Sequence, residues 1–401
     1  MSEWLTCDVA DSFIPTRVKR QHQIPAKDIA AEGPHPVIDQ GQSFISGYCD
    51  EADKLIDFDL PLIIFGDHTR CFKLVDFPFV LGADGTKVLS PRRDLYDPRF
   101  YFYALLSLNL PSRGYNRHFK LLKEQKIPLP PLQEQKQIAH ILTIVQRAIE
   151  AQERIIQTTT ELKQALIQKL FSEGLRGEPL KESEIGLVPE SWEVKPLIDT
   201  VEFIDYGVSQ AIPKTPTPAG VKIVSTADID KQGNLLYRNI RRIMVPAKTA
   251  KRLVLKDGNV LFNWRNSADL VGKTTIYEEQ EEPHIFASFI LRICTSERTL
   301  HNHFLKHLMN HYRKEGVFVK LARRAVNQAN YNRNEISILR VPVPPYEDQV
   351  EIVKIIESVE AKTKSHFSKK LGLEALFSSL LHKLMTAKIR IHELELQEIA
   401  S

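Results

Sequence analysis

Two stretches decide the fold: IPLPPLQEQKQIAHILTIV at 127–145 and VPVPPYEDQVEIVKIIESV at 341–359. Pro128 matches Pro342 at a separation of 214 residues. The same separation relates Pro130 to Pro344, Pro131 to Pro345, Gln135 to Gln349, Ile138 to Ile352, Leu142 to Ile356 and Val145 to Val359. It persists downstream, where Lys169 matches Lys383, Leu170 matches Leu384 and Arg176 matches Arg390. A spacing held without a gap over such a length points to rigid segments, since loops tolerate insertions. The Pro-Pro step suits an extended lead-in to a first helical turn. Glu134 and Asp348 then fall in that turn, where negative charge favours the helix dipole. Apolar residues follow at three-and-four spacing: Ile138, Leu142, Val145, Ile149, Ile156, Leu162, Leu166 and Leu170 in the first copy. The second copy carries Ile352, Ile356, Val359, Phe367, Leu371, Leu380 and Leu384. The pattern predicts two long helices with a coiled-coil-like seam, interrupted near Gln152, Thr159 and Thr363. A helix from Leu132 to Phe171 would span about 60 Å.

Around these helices the chain divides into blocks. Residues 1–126 and 195–340 read as two α+β domains, 127–176 as the first helical spacer, 177–194 as a linker, and 341–401 as the second spacer with a C-terminal tail. Each block mixes β-like runs (PLIIF at 61–65, VKIVS at 221–225, NVLFNW at 259–264, FASFILRI at 286–293) with Gly, Pro and Asp turns. Each also has a helical segment near its end, YFYALLSL at 101–108 and HNHFLKHLMNHYRKEG at 301–316. The blocks themselves differ strongly in sequence. With 401 residues there is room for two or three cores. No apolar run approaches the ~18 residues of a membrane span, and MSEWLTCDVADSF has no leader pattern. Cys7, Cys49, Cys71 and Cys294 are scattered without a paired motif, which fits a reducing cytoplasm.

This arrangement resembles the specificity subunit of type I restriction–modification systems. The resemblance covers essentially the whole chain. Its most specific parts are IPLPPLQEQ (127–135) and VPVPPYEDQ (341–349), then Gly186, Pro189, Trp192 and Leu197 in IGLVPESWEVKPL, and the C-terminal LLHKLMTAKIRI. It implies two target-recognition domains, each reading one half of a split DNA site, and two antiparallel helices that set the distance between the halves. It implies no catalytic centre in this chain. S-adenosylmethionine, ATP and Mg are expected on partner subunits: two modification (methyltransferase) subunits docked against helices and blocks, with restriction (translocase/nuclease) subunits outside them. Residues 1–5 depart from the pattern, offering only a stub of the entry seen at 184–197.

If the blocks bind DNA, cations should gather in them, because phosphates supply much of the affinity and base edges the specificity. The net charge of +4 is mild, but residues 195–340 hold 23 Lys and Arg against 14 Asp and Glu. Residues 1–126 hold 16 against 17, with 9 against 3 between 85 and 126. In LARRAVNQANYNRNE the candidates are Arg323, Arg324, Asn327, Gln328, Tyr331 and Arg333. Arg suits guanine and phosphate, and Asn or Gln suits adenine. The matching SRGYNRHFK of the first block offers Arg113, Tyr115, Asn116, Arg117, His118 and Lys120. FNWRNS adds Arg265 and Asn266 at a strand end, and FGDHTRCFK adds His68, Arg70 and Lys73 at a hairpin-like tip. For the two clusters containing Tyr-Asn-Arg the competing reading is a solvated polar loop, and for FNWRNS it is a polar turn beside a core Trp264.

Three segments imitate enzyme motifs. Val343-Pro344-Pro345-Tyr346 resembles the Asn-Pro-Pro-Tyr box of adenine methyltransferases, but Val stands where the Asn is needed. SADLVGKTT (267–275) resembles a phosphate-binding loop with Ser267 at the first glycine position. His303, His307 and His311 share one helix face, read here as an exposed or DNA-facing stripe rather than a metal site. Two rival functions are a stand-alone methyltransferase or nuclease and a protein–protein scaffold.

Overall fold

The computed structural model describes residues 4–16, 18–83, 85–111, 117–213, 218–296, 298–318, 323–325 and 328–391, with the side chains of 323–325 and 328–330 excepted. The chain divides into two compact units, residues 1–154 with 366–401, and residues 155–365.

The first unit opens with β1 (Leu5–Asp8), β2 (Phe13–Pro15), β3 (Gln23–Ile24), β4 (His35–Ile38), β5 (Gly47–Cys49), β6 (Leu62–Gly66), β7 (Phe72–Val75), β8 (Val80–Gly82) and β9 (Thr86–Pro91). Helices α1 (Pro98–Leu106) and α2 (Phe119–Lys123) follow, then β10 (Lys126–Leu129) and the long α3 (Leu132–Glu173). One sheet has the order β2-β9-β6-β7 and another β3-β8-β4-β5. The run LIIFG of β6 is buried throughout, as a central strand between β9 and β7 requires. Helix α1 starts on Pro98 with Asp97 as its cap, accepting from the N–H groups of Arg99 and Phe100. Its Phe100, Tyr101, Phe102 and Tyr103 are all buried, each ring worth roughly 2–3 kcal/mol. They pack with Ile138 and Leu142 from the start of α3 and with Leu384 and Met385 near the other terminus.

The second unit follows a linker that is more ordered than its composition suggests. Strands β11 (Leu180–Ser183) and β12 (Gly186–Pro189) form a hairpin, and β13 (Glu193–Pro196) leads into the block. Gly186 sits at φ +103, a region that only glycine enters cheaply. Then come β14 (Val201–Tyr206), β15 (Val221–Val224), β16 (Arg241–Ile243), helix α4 (Ala247–Leu253), β17 (Val260–Asn263), β18 (Arg265–Asn266), β19 (Thr274–Ile276), β20 (His284–Phe286) and β21 (Ile290–Thr295). Helix α5 (Asn302–Lys314), β22 (Arg323–Ala325), β23 (Gln328–Asn330), α6 (Arg333–Ser337), β24 (Arg340–Val343) and the long α7 (Tyr346–Met385) complete it.

Although the blocks differ in sequence, they share a topology. The order β14-β21-β17-β19 repeats β2-β9-β6-β7. Strand β15 pairs antiparallel with β16 and parallel with β20, as β4 pairs with β5 and β8. Strand β1 pairs with β10 as β13 pairs with β24, with Leu5 opposite Leu129 and Glu193 opposite Val343. The short N-terminal entry is nonetheless anchored by this pairing: Trp4 precedes β1 as Trp192 precedes β13.

The helices repeat in their fixings. Gln135 and Gln349 are both fully buried. Gln135 donates to the carbonyls of Leu95 and Pro130 and accepts from Asp97 N–H, each at 2.8 Å. Gln349 donates to Thr299 and Pro344 and accepts from His301 N–H. The two helices run antiparallel. In the first unit Gln152 meets His366 at 2.8 Å and Glu153 meets Lys370 at 2.8 Å. In the second Lys163 meets Glu360 at 2.7 Å. The apolar seam holds at the helix ends, where Ile138, Leu142, Leu170, Ile352, Ile356 and Leu384 are buried. It fails in the middle, because these polar pairs occupy the contact there, and Leu162, Phe367 and Leu371 are more than half exposed.

Candidate nucleic-acid interface

In the second unit two clusters far apart in sequence join one sheet. Strands β22 and β23 form a hairpin, with Arg323 opposite Asn330, Arg324 opposite Ala329 and Ala325 opposite Gln328. Strand β23 also pairs with β18, placing Arg265 opposite Asn330 and Asn266 opposite Ala329. The three-stranded sheet β18-β23-β22 therefore carries Arg265, Asn266, Gln328, Arg323 and Arg324 together. Asn327 lies outside the described residues.

An aromatic base supports this sheet. Trp264 donates its indole N–H to Ser288 O at 2.6 Å and meets Tyr206 and Phe289 edge-on. The Arg265 guanidinium lies 4.9 Å from the Phe289 ring centre, within cation–π range. Tyr331 N–H donates to Trp264 O, and Arg333 N–H donates to the Tyr206 hydroxyl at 2.7 Å. Arg333 is exposed on the first turn of α6, beside the capping box of Asn332 and Glu335. Tyr331 is a correction: it is buried against Phe318 and presents no side chain to a ligand. Asn266 accepts from Ser267 N–H through Oδ1 and lines an open cleft with Asp230, Lys231 and Gln232. Asp230 shapes that turn by accepting from the N–H groups of Gln232 and Asn234 at 2.8 Å. Sequence reasoning missed Lys231 and Gln232; the DKQGN turn at 230–234 is the signal that marks them.

In the first unit the polar residues separate into surface and interior. Arg117 and Lys120 are exposed at α2. His68 is half-buried and lines a polar recess with Gln40, Asp67, Gly85, Lys87 and Arg117. Gly85 is required there, since it has φ +65 and a Cβ would come within 2.5 Å of Gln40 Oε1. His118 is a correction, being almost fully buried with Nδ1 3.0 Å from Asp67 O. The Asp67 carboxylate accepts from the N–H groups of His118 and Phe119 and so fixes the start of α2. Lys73 is also interior, its ammonium donating to Asp39 O at 2.8 Å and Ser43 O at 2.6 Å. Burial pushes this lysine below its ordinary pKa, against the opposing pull of Asp39. Arg70 adopts φ +63, uncommon for a non-glycine, and its guanidinium donates to Leu110 O at 2.6 Å. That ties the tip to the segment after α1. Arg113, Tyr115 and Asn116 lie outside the described residues.

The segments resembling enzyme motifs have structural occupations. Lys273 of SADLVGKTT is buried and donates to the carbonyls of Thr226 and Ile229. It is the counterpart of Lys73, each reaching from its strand region to the loop after β15 or β4. Pro344 accepts from Gln349, serving the entry to α7. The histidine stripe of α5 turns inward rather than toward solvent or DNA. His303 and His307 approach Glu357, His307 also lies 4.0 Å from Glu360, and His311 stacks on Phe171 at 5.4 Å. Among the described residues no group of three or more His, Cys, Asp or Glu is arranged to hold a metal. No described helix is long and apolar enough to cross a membrane.

A family model for the type I restriction modification DNA specificity domain matches residues 17–161 and 189–375. The chain belongs to this family. A putative type I restriction enzyme MjaX specificity subunit of Methanocaldococcus jannaschii is 29% identical over 183 residues, covering 46% of this chain and 43% of that protein. The type I restriction enzyme MjaVIII specificity subunit of the same organism is 26% identical over 324 residues, covering 76% of this chain and 73% of that one. The matched region thus spans less than half of the first relative and about three quarters of the second. Among solved structures, the type I restriction–modification S subunit from M. genitalium shares the fold with a TM-score of 0.60 at 15% identity, covering 96% of each chain. A chain from a study of complex assembly and conformational transition in the type I system gives a TM-score of 0.55 at 15% identity.

Proposed function

We propose that this chain is the DNA-recognition subunit of a type I restriction–modification complex, with no chemistry of its own. Each block reads one half of a bipartite site. The helices fix the gap and dock two modification subunits, with restriction subunits outside them. S-adenosylmethionine, ATP and Mg belong to those partners, and the complex works in the cytoplasm on double-stranded DNA. The observation that carries the reading is the sheet β18-β23-β22, which gathers Arg265, Asn266, Gln328, Arg323 and Arg324 beside the exposed Arg333. Arg, Asn and Gln residues brought into register on one small sheet suit base edges and phosphates together. The shared topology of the blocks supports two equivalent readers of divergent sequence.

The test is a block exchange. The chain is expressed with modification subunits, and methylated adenines are mapped across the host genome. Replacing 195–340 with the matching block of a related subunit should change one half-site and leave the other intact. Changes in both halves would show joint reading, and methylation by the lone purified chain would show an enzyme.

A further inference from the structure

We propose that a groove floored by Phe119 in the first unit is a track for the sugar-phosphate backbone of duplex DNA, anchored by Lys87 and Lys123. The proposal rests on the DNA-recognition reading and assigns this role to residues that the motifs did not mark. Phe119 opens α2, and its ring packs at 6.2 Å from Phe13 and 6.3 Å from Phe65, so it is fixed from the core side. The Lys87 ammonium lies 5.7 Å from its ring centre and the Lys123 ammonium 5.4 Å. Both distances fall within the ~6 Å reach of a cation–π contact, worth ~0.5–1 kcal/mol at an exposed site.

Two cations on one ring repel each other, and the arrangement lacks the usual remedy. Among the described residues the contact shown for each ammonium is the Phe119 ring, with no ion pair to the adjacent Glu124. The ring orders both aliphatic stems while leaving the charges unneutralised. An incoming anion therefore meets two cations whose side-chain freedom has already been reduced.

The surroundings suit a chain of phosphates rather than one compact ion. Lys87 lines two neighbouring recesses. One runs past Phe13, Thr16 and Gln23 to Lys123, with no acid among the described residues that line it. The other runs past Gln40 and His68 to the exposed Arg117. Asp67, the acid among the described residues that line it, is engaged with the N–H groups of His118 and Phe119. Lys87 lines both recesses, with Lys123 in one and Arg117 in the other, so three cations gather where a backbone of repeated negative charges could lie. Phosphate contacts carry no base identity, so this track should add affinity for every sequence alike.

The experiment measures binding of the assembled complex to two duplexes, one with the site found by methylation mapping and one unrelated, over a range of salt. Lys87→Ala and Lys123→Ala should each weaken both duplexes several-fold and lower the salt slope by about one, and by about two together. Lys87→Arg with Lys123→Arg should restore the slope, which separates lost charge from lost folding. Phe119→Leu should weaken binding less than the double alanine variant. A double alanine variant of unchanged melting temperature, with wild-type affinity and slope, overturns the track. So does a loss confined to the cognate duplex, which would mean base reading. Failure of the wild-type complex to bind either duplex would instead overturn the DNA-recognition reading.

Discussion

Arg176, three residues beyond α3, donates to Asp348 in the first turn of α7 at 2.6 Å. The pair recurs 214 residues away with the helices exchanged, as Arg390 donates to Glu134 at 3.2 Å. The end of each helix is therefore latched to the start of the other, within the unit that holds both. The Asp348 side chain is 5% exposed and that of Arg176 is 65% exposed, so the carboxylate depends on the arginine more than the reverse. Arg176→Ala should cost about 1–2 kcal/mol, less than a fully buried pair, since water screens the arginine and the helix dipole still favours the carboxylate. A urea midpoint equal to the wild type would show that the latch contributes nothing.

The buried glutamines should matter more. Gln135→Leu keeps similar bulk but leaves the Leu95 and Pro130 carbonyls and the Asp97 N–H without their partner. Such groups cost ~1–3 kcal/mol each when stranded, with partial relief from local relaxation. We expect a loss of about 3 kcal/mol for Gln135→Leu and a similar loss for Gln349→Leu. Denaturant unfolding of both variants checks this, and a loss below ~1 kcal/mol in both would refute the glutamine anchor.

Acid should destabilise the second unit through the α5 histidines. His307 is buried, which lowers its pKa from 6.5, and Glu357, Lys306 and Glu360 modulate that shift. A histidine with a lowered folded pKa is protonated more readily unfolded, so stability falls as pH drops through 6.5 toward the folded value. Glu357 is held at about 2 by the neighbouring His307, 3.9 Å away, and by His303, which bonds it directly. Its stabilisation is present above the usual 4.5 and is lost as pH falls toward 2. Both effects act in the same direction. His307→Gln should flatten the stability profile below pH 6.5, read by thermal melts at several pH values. An unaltered slope there would assign the acid sensitivity elsewhere.

The long helices were legible because two signals coincide at Pro131 and Pro345: an extended lead-in and a first turn carrying Glu134 or Asp348. The runs PLIIF and VKIVS also read correctly as strands, β6 and β15. The common topology of the blocks was hidden, since strands of two to six residues can exchange side chains freely while keeping their hydrogen bonds. The site was legible in composition but not in assembly. Strand β18 is two residues long, and its partner lies more than sixty residues onward. Lys73, His118 and Tyr331 look like surface groups in sequence, yet Asp39, Asp67 and Phe318 give them interior partners. The α5 histidines misled similarly, because Glu357 and Glu360 lie on α7.

The helices can be tested as a ruler. Helix α3 runs unbroken for 42 residues and α7 for 40. Their register is pinned by Lys163 with Glu360 and by Glu153 with Lys370, which places Thr159 level with Lys364. The region is polar, and Thr159 bonds only its own helix, through Ile155 O. Inserting four residues after Thr159 and four after Lys364 therefore keeps the antiparallel pairing while disturbing little packing. Each insertion adds about 6 Å and turns the following segment by about 40°. DNA rises ~3.4 Å per base pair in each strand, so the recognised gap should lengthen by one or two base pairs. Both half-sites should keep their sequence, because neither block is altered. Methylation mapping in a host carrying the variant gives the motif directly. A folded, active variant that methylates the original spacing would mean that the helices do not set the distance, and the scaffold reading would gain.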